Sequence, residues 1–177
     1  MEFIEIIEKT KQWSIDRNLH TANPLKQFQK LNEEYGELNS GIAKDKPDVI
    51  KDSVGDCLVV LIILAQQLDI DVIEQLLLLG NSNYYTKGIA STDSLILYGS
   101  KAIGEMASTL QDITYNGASI NNIARIKFAI RNVAGVLDKI AINFGFITKD
   151  CFEFAYNEIK NRKGKLIDGV WVKEADL

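Results

Sequence analysis

Five carboxylates crowd into the stretch from Lys30 to Leu68: Glu33, Glu34 and Glu37, then Asp52 and Asp56, just ahead of an apolar run from Cys57 to Ala65. Residues three and four apart share a helix face, so Glu33, Glu34 and Glu37 project together, and Asp52 and Asp56 do the same on the next helix. Like charges at that spacing weaken a helix by roughly 0.2–0.5 kcal/mol per pair. Placing them beside apolar residues raises the cost, because burial penalises the ionised form. A hard divalent cation removes the penalty, since carboxylate oxygens are the ligands Mg²⁺ prefers. Taken alone, Glu33, Glu34 and Glu37 fit a solvated acidic face as well as they fit a metal site. Asp56 decides between the two, because Val54, Leu58, Val59 and Leu61 to Leu64 leave its helix little solvated surface. The stretch reads as a metal site.

The helices that must hold these groups are marked by the chain's two prolines. Asn23-Pro24 is an N-cap followed by proline at the first helical position, and Pro47 opens a later helix similarly. The spacing predicts helices from about Phe3 to Arg17, Pro24 to Ala43 and Pro47 to Leu68. The connection Ala43-Lys44-Asp45-Lys46 is too short for anything but an antiparallel pair, which sets Glu33 to Glu37 opposite Asp52 to Asp56. Further helices are predicted from about Asp71 to Leu79, ending in the loop Gly80-Asn81-Ser82-Asn83, and from Asp93 to Gln111, capped by Ser91 or Thr92. Asn116-Gly117 marks a turn, and Ser119 can cap a long helix to about Asn143, closed by Gly145. Thr148 is expected to cap a last helix from Lys149 to Lys163. The tail GKLIDGVWV alternates around Asp168-Gly169, as a small hairpin or an extended arm. The class is all-α, a helical bundle.

At 177 residues the chain suits one domain, 1–177, with a substantial buried core. A net charge of −4 gives no electrostatic reason to expect nucleic acid. No apolar run reaches the roughly 18 residues of a transmembrane segment, so no membrane association is expected. Met1 opens directly into EFIEIIEKT, which lacks the basic start and apolar centre of a signal peptide. Cys57 and Cys151 stand alone in helical patterns and read as reduced core residues of a cytoplasmic protein. His20 is the only histidine, which excludes His-based zinc sites and any Ser-His-Asp triad that does not run through it.

The second half echoes the first. Gly36-Glu37-Leu38-x-Ser40 recurs as Gly104-Glu105-Met106-x-Ser108, and continuing the alignment sets Asn132 opposite Asp56. Lys101 and Ala102 then replace Glu33 and Glu34, and Phe128 replaces Asp52. The chain divides on this reading into a metal-bearing half (about 1–80), a degenerate copy without ligands (about 91–163) and a tail (164–177). Ile96, Ile103, Met106, Leu110, Ile130, Val133, Val136, Leu137 and Ile140 would be the copy's share of a common core.

Glu33-Glu34-Tyr35-Gly36-Glu37 followed by Asp56 resembles the signature of the all-α nucleoside triphosphate pyrophosphohydrolases, the MazG-like enzymes and dimeric dUTPases, in which Glu-Glu-x-x-Glu precedes Glu-x-x-Asp. Ser53 stands where that family has its later glutamate, and Asp52, one position earlier on the same face, is the carboxylate available in its place. Asn23-Pro24-Leu25-x-Gln27-x-x-Lys30-Leu31 looks like the family's entry to its second helix. The ending Ala155-Tyr156-Asn157-Glu158-Ile159-x-Asn161-Arg162-Lys163-Gly164-Lys165 looks like that of small, often phage-encoded MazG-like proteins. Here the stretch from about Asp71 to Ile147 intervenes, and the likeness covers about half the chain.

The resemblance implies a Mg²⁺-dependent enzyme, with Mn²⁺ as a substitute, that cleaves a nucleoside triphosphate to the monophosphate and pyrophosphate. Glu33, Glu34, Glu37 and Asp56 would be its catalytic carboxylates, and Glu34, Glu37, Asp52 and Asp56 its metal ligands. Gln27, Lys30, Asn157, Arg162, Lys163 and Lys165 would bind substrate, in a monomer or homodimer. From spacing alone, Arg162-Lys163 is at least as well read as a basic helix end favoured by the dipole. Trp13 reads as a core aromatic ahead of a base platform. Two other readings compete: a non-catalytic nucleotide-binding or regulatory helical protein, suggested by Ser53 and the degenerate half, and a ferritin-like di-iron protein. The latter is disfavoured because such sites use Glu-x-x-His pairs.

Overall fold

The computed structural model describes residues 1–76 and 91–177. Seven α-helices are found among them: α1 (Phe3–Asp16), α2 (Pro24–Ala43), α3 (Pro47–Gln67), α4 (Ile73–Leu76), α5 (Thr92–Asn116), α6 (Ile120–Asn143) and α7 (Thr148–Ile159). A two-stranded hairpin, β1 (Gly164–Ile167) and β2 (Val170–Lys173), follows. The all-α reading holds. The predicted loop Gly80-Asn81-Ser82-Asn83 and the end of the predicted 71–79 helix lie outside the described residues.

Local chemistry explains the boundaries. The Asn23 side chain accepts from Leu25 N, and Ser91 and Ser119 accept from Ser94 N and Asn122 N, so each caps the helix it precedes. The hairpin turns at Asp168 and Gly169, both with positive φ (49° and 81°), the backbone a two-residue turn of this kind requires. The two strands then pair in strict register, Leu166 opposite Trp171 and Gly164 opposite Lys173.

Three boundaries differ from the sequence reading. Helix α5 continues to Asn116, because nothing before Gly117 breaks it. Helix α7 stops at Ile159, and the residues after it turn into the hairpin. Thr148 does not cap α7: it is the first helical residue, and its hydroxyl donates to buried Asp138 at 2.6 Å, leaving Ile147 at the N-cap with no side-chain bond.

Helix α3 is the centre of the molecule, touching α1, α2, α6 and α7, and its residues from Cys57 to Ala65 are buried. Burying such a helix on all sides requires close approach somewhere, and Gly55 provides it. A Cβ there would collide with the Cys151 carbonyl oxygen and with Ala155 of α7. The α5–α6 pair packs on the α2–α3 pair through α2–α5 and α3–α6 contacts. Tyr35 OH donates to the Ile96 carbonyl at 2.9 Å across this seam, over Gly99, where any Cβ would strike the phenol. All the residues expected to form the second half's share of the core are buried except Ile96, which is partly so. Glu105 is exposed beside Lys101, whereas Asn132 is buried and accepts from Tyr98 OH, so the two sit in unlike surroundings.

Candidate functional site

Helix α2 presents Lys30, Glu33, Glu34 and Glu37 at successive turns. The Lys30 ammonium lies 2.6 Å from a Glu34 carboxylate oxygen and 3.0 Å from one of Glu33. Glu34 is 5% exposed, so its charge is met by Lys30 rather than by water. Helix α3, held antiparallel by its short connection, brings Asp52 and Asp56 to the same region. Burial, and then the Glu34 and Asp52 charges, push the Asp56 carboxyl up to about 7. Asp52 is raised by burial and by Glu158 and Glu34. Glu37 is raised by burial and by Glu34. Each ionised neighbour makes the next carboxylate harder to ionise, and burial removes the water that would screen them.

Such a set fits a hard divalent cation by its chemistry: the donors are all carboxylate oxygens, and their charges are only partly met by Lys30 and Arg162. Among the described residues no three carboxylate, cysteine or histidine side chains already converge as a cage. A cation at Glu34 would therefore take the place that the Lys30 ammonium holds.

Beside the cluster is a cavity of about 340 Å³, within the range of small-molecule sites. Glu33, Glu34 and Asp56 give it an acidic wall, and Lys26, Lys30, Arg162 and Lys173 give it cations. Its apolar lining includes Trp13, Leu19, Val59, Val60, Ile63 and Trp171, and buried Gln27 lies among them. Trp13 is both things at once: it belongs to the core, with its Nε1–H donated to the Ile159 carbonyl at 2.9 Å, and it lines the cavity.

Of the residues anticipated from sequence, Gln27, Lys30, Glu33, Glu34, Asp56 and Arg162 meet at this cavity. Glu37 and Asp52 do not line it, although both share its electrostatic field. Asn157 is exposed and accepts from Lys160 at 2.8 Å, while Lys163 and Lys165 lie outside the cavity walls. Lys26, Trp171 and Lys173 are cavity residues that the sequence reading does not single out. Lys26 stands one turn before Lys30 and can be found by that spacing; the other two carry no local signal.

Comparison with known proteins bears on this same region. Residues 23–78 match the family model of the MazG nucleotide pyrophosphohydrolase domain. A protein of Haemophilus phage HP1 (strain HP1c1), described as an uncharacterized 18.2 kDa protein in the rep-hol intergenic region, is 60% identical over 68 residues. Those residues are 38% of this chain and 42% of the phage protein, so the match spans less than half of that relative's length. No solved structure matches significantly. No described helix is long and apolar enough to cross a membrane.

Proposed function

From the premise that α2, α3 and α4 form a MazG-type segment, the likeness first read in Glu33-Glu34-x-x-Glu37 and Asp56, we propose that the protein is a nucleoside triphosphate pyrophosphohydrolase dependent on Mg²⁺. The observation that carries this reading is the adjacency, in one cavity, of a mutually repelling carboxylate cluster, four cationic side chains and an aromatic, apolar lining. A triphosphate needs each of these: a cation-binding acidic wall, positive charge for its remaining oxygens and an apolar end for its base.

Glu34, Glu37, Asp52 and Asp56 would hold the metal, which supplies charge neutralisation on the phosphates and a lowered pKa for a bound water. Lys26, Lys30, Arg162 and Lys173 orient the phosphate chain by charge. Glu33, which reaches the cavity from the exposed side of α2, accepts the proton lost by the attacking water. The water oxygen bonds to phosphorus, the bridge between the α- and β-phosphates breaks, and pyrophosphate leaves with the bond's electron pair.

Incubating the protein with Mg²⁺ and a panel of nucleoside triphosphates tests this, with pyrophosphate and monophosphate as the measured products. Release of both in equal amounts is expected; orthophosphate as the first product, or no release from any triphosphate, defeats it. A second reading, a nucleotide-binding protein without turnover, is favoured by Ser53, which is 2% exposed where the family carries a carboxylate. Saturable nucleotide binding with no product would select it.

A further inference from the structure

The hairpin lies outside the family match, yet Gly169, Val170, Trp171, Val172 and Lys173 line the same cavity as Glu34 and Asp56. We propose that β2 is part of the substrate site, with Trp171 as the platform on which the nucleotide base rests and Arg17 as the residue that positions it. The proposal rests on the nucleotide reading above and names what that reading leaves open, the group that contacts the base.

Side chains two apart on a strand share a face, so Trp171 and Lys173 stand side by side, about 7 Å apart along β2. An aromatic plane followed by a cation suits a ligand with a flat apolar end and a charged one. Trp171 also differs from Trp13 in how it is held. Trp13 is buried and fixed by its bond to Ile159, whereas Trp171 is half-buried and its indole N–H has no partner among the described residues. Packing alone holds it: an edge-on contact with Trp13 at 6.3 Å, and the Arg17 guanidinium 5.3 Å from its ring.

Arg17 does not line the cavity, but it braces three residues that do, Trp171, Trp13 and Arg162. Its guanidinium sits 4.4 Å over the Trp13 ring and donates to the Arg162 carbonyl at 3.1 Å. One side chain thereby ties α1 to the exit of α7 and to the hairpin. Stacking of a base on an aromatic face tolerates every base, since each has a π-face, so Trp171 would serve affinity for nucleotides as a class.

Trp13 and Trp171 are the chain's two tryptophans, so Trp13→Phe leaves Trp171 as the single indole reporter. Titrating that protein with an α,β-methylene nucleoside triphosphate in Mg²⁺ should quench the emission saturably, whereas inorganic tripolyphosphate, which has no base, should bind without quenching. Trp171→Ala should weaken nucleotide binding by about tenfold or more while leaving tripolyphosphate affinity within about twofold. Trp171→Phe should recover most of the loss, which separates a lost platform from a misfolded hairpin. Arg17→Ala should raise KM about fivefold more than it lowers kcat, as expected of a group that acts through Trp171. Equal quenching by tripolyphosphate, or wild-type nucleotide affinity in Trp171→Ala, overturns the proposal even if pyrophosphate is released. Quenching by the nucleotide in a protein that releases none supports the platform and defeats the hydrolase reading instead.

Discussion

Asp56 is where the chemistry of single residues is most exposed to test. In the metal-free protein its carboxyl is pushed up to about 7, against about 4 in an unfolded chain. The folded state therefore holds a proton that the unfolded state has released. Its stabilising contribution is complete below about pH 4 and is lost as pH rises through 7. Metal-free protein should melt at a lower temperature at pH 8 than at pH 5.5. Asp56→Asn should flatten that slope and raise stability at pH 8 by about 1–3 kcal/mol, measured by chemical denaturation in EDTA. The same residue decides activity in the opposite direction. Asp56→Ala and Glu34→Ala should each lower kcat/KM by about 10²–10⁴-fold, with the helical circular dichroism intact. Full activity in Asp56→Ala would remove it from the site. These residues are legible in the sequence because i, i+3 and i, i+4 spacing fixes a shared face regardless of tertiary context. Lys173 and Trp171 are not, because their contribution depends on where a hairpin docks, and alternation within β2 says nothing of that.

Among the elements, α3 shows most directly how packing constrains sequence. Its approach to α7 at Gly55 leaves no room for a methyl group against the Cys151 carbonyl, so Gly55→Ala should cost about 1–3 kcal/mol or more through overpacking. Gly36 is the contrasting case: it is helical and exposed, and a methyl group there would meet nothing within 4 Å. Gly36→Ala should therefore stabilise α2 by about 0.5–1 kcal/mol, since alanine forfeits less conformational entropy in a helix. Thermal melts of the two variants should move in opposite directions, and a stabilised Gly55→Ala would contradict the α3–α7 contact. The helix starts at Pro24, Thr92 and Ile120 are readable because a capping side chain acts within one turn. The end of α7 is not, since residues 160–163 have no strong breaker and leave the helix to bring β1 into the hairpin.

For the molecule as a whole, Mg²⁺ binding should stabilise by mass action, about 2.7 kcal/mol at 100 times its Kd, and more at pH 8 than at pH 5.5, where protons compete for Asp56. A melting temperature unmoved by millimolar Mg²⁺ at pH 8 would count against the carboxylate cluster as a cation site. The apolar stripes of α5 and α6 are buried, chiefly between the two helices, and α2–α5 and α3–α6 contacts join the pair to the first. Periodicity shows those stripes, but which helix each meets depends on contacts distant in the chain. The bond from Trp13 to the Ile159 carbonyl is such a contact, closing 146 residues of sequence beside the cavity. It carries a consequence for the order of events during synthesis. Glu34 and Asp56 leave the ribosome long before Ile159, Arg162 and Trp171, so the nascent chain can display an acidic helix pair but not a complete pocket. Nucleotide should consequently leave an arrested chain of about the first 150 residues unprotected from proteolysis, and protect the released protein, with the gain concentrated at α1, α7 and the hairpin.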